Sequence, residues 1–88
     1  RELLVTSQFK KDLKKAKKRR KDLSKLEAIL GKLVASETLS PKNRPHRLSG
    51  DWKPCWECHI EPDWLLIWDE DETSVTLIRT GSHSDLFD

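Results

Sequence analysis

Eighty-eight residues make one domain, 1–88, with room for one compact core, because a chain this short buries only about 60–65% of its unfolded surface. The formal charge of +2 conceals a split: residues 1–50 carry 15 Lys and Arg against 5 Asp and Glu, and residues 51–88 carry 2 against 10, so one surface is suited to a polyanion. No apolar run approaches the ~20 residues that cross a bilayer, no signal peptide is visible, and two cysteines make no disulfide framework; a reduced, cytoplasmic chain without a membrane partner is the expectation.

Leu3-Leu4-Val5-Thr6 reads as a short edge strand. Thr6 or Ser7 then caps a helix, since a hydroxyl there accepts from a free first-turn N–H. Phe9, Leu13 and Ala16 give that helix a narrow buried stripe at helical spacing. Its remaining surface is cationic: Lys10, Lys11, Lys14, Lys15, Lys17, Lys18, Arg19, Arg20 and Lys21. Asp22 caps a second helix with Leu23, Leu26, Ile29, Leu30, Leu33 and Val34 on its apolar side, and the short gap at 20–22 makes the pair an antiparallel hairpin. Leu39-Ser40-Pro41 ends it, because proline has no N–H and disfavours helix in the residue before it.

A basic loop from Pro41 to Pro45 leads to His46, and the stretch 48–68 follows, with all four tryptophans, both cysteines and the longest apolar run. A turn at Glu61-Pro62-Asp63 divides it into the two strands of a hairpin. After a solvated acidic turn at Asp69–Glu72, residues 73–80 alternate as a third strand, with Val75 and Leu77 on one side and Thr76 and Ile78 on the other. Gly81–Ser84 breaks this strand, and Asp85-Leu86-Phe87 is a tail that packs back. The expected fold class is α+β: a helical hairpin on a small antiparallel sheet, in the order strand, helix, helix, strand, strand, strand.

Four groups of residues carry possible chemistry. Nine cations from Lys10 to Lys21 oppose one acid, Asp12, which is more than solubility requires; Lys10, Lys14, Lys17 and Lys18 are candidate contacts to a phosphate backbone, with a merely solvated helix face as the alternative. Imidazole, with a free pKa of about 6.5, exchanges protons at cellular pH. His46, His59 and His83, with Asp63 and Arg79, could supply the base, acid and cation that RNA cleavage without a metal requires, each acid or base typically worth ~10²–10⁴-fold. Three unrelated surface histidines are the alternative, and all three flank strand ends. The expectation is that they gather at one rim of the sheet, next to the cationic helix. Cys55-x-x-Cys58-His59 is a weak zinc signal, because in a regular strand the two thiols point to opposite faces. No cofactor is expected. The tryptophans are mostly core, and Phe87 on its short tail is the better residue to stack on an unpaired base.

Three runs together, His46-Arg47-Leu48-Ser49-Gly50-Asp51-Trp52, His59-Ile60-Glu61-Pro62-Asp63-Trp64-Leu65-Leu66-Ile67 and Arg79-Thr80-Gly81-Ser82-His83-Ser84-Asp85-Leu86-Phe87, resemble RelE-type bacterial toxins of the YafQ branch, and the likeness spans essentially the whole chain. The resemblance implies a microbial-ribonuclease-like fold, a ribosome-dependent endoribonuclease that cuts mRNA in the ribosomal A site beside rRNA, and a cognate antitoxin. By motif position it makes His83 the general acid, adds His46, His59 and Asp63 to the catalytic set without saying which is the base, and gives Arg79 a phosphate and Phe87 the substrate. Cys55, Cys58 and Trp68, the last in place of a more usual tyrosine, depart from the pattern without removing a catalytic group. Two readings from other classes stand beside it: a non-catalytic RNA- or ribosome-binding module, and a zinc-binding adaptor. A relative of the same superfold that attacks gyrase would have no evident use for three such histidines.

Overall fold

The central strand is the apolar run 64–68, and its two-residue period decides what lies above and below it. The computed structural model describes residues 1–88. Strands β1 (Glu2–Val5), β2 (His46–Arg47), β3 (Trp56–Glu61), β4 (Trp64–Glu70) and β5 (Ser74–Gly81) form one sheet in the order β1-β5-β4-β3-β2. Helices α1 (Ser7–Lys18) and α2 (Leu23–Val34) lie between β1 and β2 in the chain, and a short α3 (His83–Phe87) ends it. On β4, Trp64, Leu66 and Trp68 enter a cluster of 13 buried residues with Phe9, Ala16, Leu26, Ile29 and Leu33 of the two helices. Leu65 and Ile67 point the other way, into a small second cluster with Leu86 of α3, edged by Leu48, Trp52, Cys55 and Ile78. A strand buried on both faces reads as a continuous apolar run, as β4 does. The single compact core expected of this length is therefore two unequal ones.

Local chemistry sets most boundaries as expected. Thr6 Oγ1 accepts from Phe9 N–H at 3.0 Å, and the Asp22 side chain accepts from Ser24 N–H at 3.0 Å, so both helices start at their caps. Arg20 takes a left-handed backbone (φ 58°) in the gap between them. Asp71 ties the β4–β5 turn by accepting from the N–H groups of Thr73 and Ser74, each at 2.8 Å.

Four expectations need correction. The sheet is mixed: β1 runs parallel to β5, pairing Leu3 with Val75 and Val5 with Leu77, because the first strand lies beside the last and not beside its sequence neighbour. The second helix ends at Val34, six residues before Ser40, where Ala35 caps it and Ser36 turns left-handed (φ 59°). The first arm of the hairpin is a strand only from Trp56; Gly50–Trp52 is a 3-10 turn entered through Gly50 at φ 65°, a backbone that favours glycine. The tail is an ordered helix, with a Ser82–Asp85 capping box.

Candidate active site

Alternation along β3 aims His59 and Glu57 away from the helices, since Cys58 and Ile60 between and beyond them enter the large cluster. Their antiparallel partners Leu65 and Ile67 belong to the small cluster, and His46 on β2 pairs directly with Glu57. Helix α3, anchored on that same face by Leu86, brings His83 over it. All three histidines therefore share one face at the rim of the sheet.

Asp63, at the β3–β4 turn, accepts from His83 twice: from its backbone N–H at 2.9 Å and from ring Nδ1 at 2.6 Å. The backbone bond first and the ring bond second hold the Asp63 carboxyl below the usual aspartate range. An ionised carboxylate only accepts, so the proton of that contact sits on Nδ1 and leaves His83 Nε2 free to face a ligand. His59 packs edge-on against His83, with ring centroids 5.7 Å apart. Glu57, whose side chain is 6% exposed, places Oε1 at 3.5 Å from His46 Nε2 and 3.8 Å from His59 Nε2. His46 Nδ1 lies 2.9 Å from the carbonyl oxygen of Arg44, while its Nε2 only faces Glu57.

Arg79 meets a partner the sequence had presented differently. Asp12, counted above as the lone acid on a cationic helix, is buried beside the end of β5. β1 covers the edge of β5 only as far as Leu77; past that point Asp12 accepts from Thr80 N–H at 3.1 Å and from Arg79 Nε at 2.7 Å and Nη2 at 3.2 Å. The charged bond it donates to Asp12 holds the Arg79 guanidinium pKa above its ordinary value. A buried carboxylate costs several kcal/mol unless it is so paired, and here it orients the arginine. Arg79 and Asp63 line a common cleft of about 350 Å³ together with Lys15, Arg19 and Lys21.

The cationic helix is accordingly not placed as expected. α1 packs on the face opposite the histidines and meets their neighbourhood through Asp12 at Arg79 and at its C-terminal end, where Arg19 and Lys15 reach Asp85 of α3 at 2.6 and 3.2 Å. These bonds, with the capping box, drive the Asp85 carboxyl far down. Lys10, Lys14, Lys17 and Lys18 stay exposed and do not line the cleft. Phe87, 43% exposed, stands edge-on to Trp52 at 6.0 Å on the histidine face, while Trp64 and Trp68 are buried on the other. Cys55 edges the small cluster and Cys58 lies in the large one, so the two thiols do face apart, and burial raises the Cys58 pKa to about 12. No group of three or more His, Cys, Asp or Glu side chains is arranged to hold a metal ion.

Glu57 and Asp85 escaped the sequence reading, although signals existed. Glu57 stands two residues before His59, hence on its face of a strand, and Ser82-x-x-Asp85 is a capping-box spacing.

The molecule is thus an α+β domain with one sheet face packed under helices and the other presenting imidazoles and carboxylates beside an oriented arginine. Residues 1–88 match the family of bacterial toxins of type II toxin–antitoxin systems called YafQ, and the chain belongs to that family. It is 36% identical to the mRNA interferase toxin YafQ of Escherichia coli K12, over 99% of this chain and 96% of that one. Its structure superposes on YafQ in the E. coli DinJ–YafQ toxin–antitoxin complex with a TM-score of 0.92 at 36% identity, covering 100% and 98% of the two chains. A metal-bound toxin from Helicobacter pylori superposes with a TM-score of 0.91 at 39% identity, covering 98% of each. No helix is long and apolar enough to cross a membrane.

Proposed function

We propose that this toxin is an mRNA interferase that cuts message in the ribosomal A site by general acid–base catalysis without a metal, in the cytoplasm, and that a cognate antitoxin neutralises it. The observation that carries the reading is the His83–Asp63 pair with His59 packed against it. RNA cleavage of this kind takes a proton from a 2′-hydroxyl, lets that oxygen attack the adjacent phosphorus, and protonates the departing 5′-oxygen. The products are a 2′,3′-cyclic phosphate and a free 5′-hydroxyl.

His83, with Nδ1 committed to Asp63, delivers the proton to the 5′-oxygen from Nε2. His59 has Nε2 turned to Glu57 and keeps Nδ1 for the 2′-hydroxyl proton, so it is the base. His46, with Nδ1 at the Arg44 carbonyl and Nε2 towards Glu57, completes the catalytic set beside them. Arg79, oriented by Asp12, meets the charge that grows on the phosphate. Phe87 and Trp52 offer an aromatic edge and face to an unstacked base. Lys10, Lys14, Lys17 and Lys18, turned away from the histidines, suit rRNA better than the message, which would seat the domain between the two. The relatives support this reading through the activity and the antitoxin partner in their names, mRNA interferase and DinJ–YafQ.

The test is His83→Ala in a translating extract, with message ends mapped. Cleavage should fall ~10²–10⁴-fold with an unchanged unfolding midpoint, and parental protein stripped of metal by chelator and dialysed before it is added to the extract should cut as well as untreated protein. Parental protein that binds ribosomes and leaves the message whole would instead make this a binding module.

A further inference from the structure

A second cavity, of about 670 Å³, lies on the other side of the Glu61–Asp63 turn from the cleft that holds Arg79. Its walls are the outer side of α2, the Pro41–Asn43 turn with Arg44, and the free end of β3. Lys25, Lys32, Lys42 and Arg44 line it, and Glu61 is its one acid. Lys25 at 3.0 Å and Lys21 at 3.3 Å already neutralise Glu61, and the Lys25 bond above all holds its carboxyl below the usual range. Lys32, Lys42 and Arg44 have no carboxylate within ion-pair distance. An excess of cations around a recess in the size range of ligand pockets suits a phosphate with the nucleoside attached to it.

Three contacts join this cavity to the histidine cluster. Pro62 lines it, and the next residue is the Asp63 that holds His83. Asn43 donates its side-chain N–H to the His59 carbonyl at 2.8 Å. Arg44 lines the cavity and turns its carbonyl to His46 Nδ1 through a left-handed backbone (φ 48°, ψ 53°), a conformation uncommon for a residue other than glycine.

We propose that this cavity is a second RNA subsite, which takes a backbone phosphate and its nucleotide next to the scissile bond. The inference rests on the ribonuclease reading above and adds where the message runs: from the Arg79 cleft, over the Glu61–Asp63 turn, to Lys32, Lys42 and Arg44. RNA is favoured over an acidic protein segment because the cavity wall is built of the residues that touch His46, His59 and, through Asp63, His83.

The probe is an RNA heptamer with one 2′-deoxy nucleotide at the cleavage position, titrated against the parental protein and a Lys32→Gln/Lys42→Gln variant over a range of salt. The variant should bind roughly tenfold more weakly, and its slope of log affinity against log salt should shrink by about 1.4, the value for two phosphate contacts to a single strand. Equal affinities and slopes overturn the subsite. So does a loss of affinity confined to the cognate antitoxin, which would make the cavity a protein-docking site. Cleavage of ribosome-bound message by the parental protein decides the ribonuclease reading separately, whatever the variant does.

Discussion

The two faces of the sheet differ in what surrounds them, although the same strands build both. On the helix side, Trp64, Leu66 and Trp68 of β4 meet two amphipathic helices, and 13 side chains are buried together. On the other side three apolar side chains are buried, and the remaining area is occupied by Glu57, His59, His46 and the helix that carries His83. A strand turns successive side chains to opposite faces, so one apolar run can anchor the fold and floor a reactive surface without compromise at any position. The lesson is that stability and chemistry here should be separable by parity along a strand.

The sharpest way to break that separation is on the packed face. Trp64 is 1% exposed and donates its indole N–H to Thr80 Oγ1 at 2.9 Å. Trp64→Ala should cost about 3–5 kcal/mol, a large share of what a domain this size has, and be read as a collapse of the denaturant midpoint. If it lost cleavage yet kept its midpoint, the two faces would not be separable.

A smaller effect is expected at the seam between them. A Cβ on Gly81 would stand 2.9 Å from both the Cβ and Oδ2 of Asp85, inside the capping box that starts α3. Gly81→Ala should cost about 2 kcal/mol as α3 shifts, with cleavage falling more steeply than stability because His83 moves with the helix. Equal losses in both would argue that α3 is merely packed.

The mildest sharpens the electrostatics. Asp85 is held far below its ordinary 3.8 by Arg19 first, with the Ser82 backbone and Lys15 assisting. A depressed carboxyl stabilises the fold fully above that ordinary value, and the contribution is lost as pH falls towards the folded one. Asp85→Asn should therefore lower stability by about 1–2 kcal/mol at neutral pH, with the gap from the parental protein closing on acidification below pH 3.8. A gap that stays constant with pH would assign the loss to shape.

Much of the fold could be read from the chain because its signals are local. Thr6 and Asp22 cap the helices they were expected to cap, Val75 and Leu77 alternate against Thr76 and Ile78, and the turn at 61–63 joins β3 to β4. The end of the second helix was misplaced because Pro41 is a strong stop, while the actual stop, Ser36 in a left-handed backbone, carries no such residue signal. Of the candidate site, the histidines, Asp63 and Arg79 could be proposed from motif and residue type, and the structure brings the three histidines and Asp63 together. Glu57 could not be weighted, because an acid on a strand reads as solvated until its burial is seen.

By itself, the sequence determined where the two main helices start and where the last three strands run, which side chains can move protons, and that cations crowd the first half of the chain. Tertiary structure alone decided that the cationic helix lies behind the sheet, that Asp12 stands in for a missing strand neighbour and holds Arg79, and that β1 runs parallel to β5. The physical reason is range. Caps, periodicity and turn chemistry act over a few residues, whereas which face a helix covers depends on how distant apolar stripes close over one another.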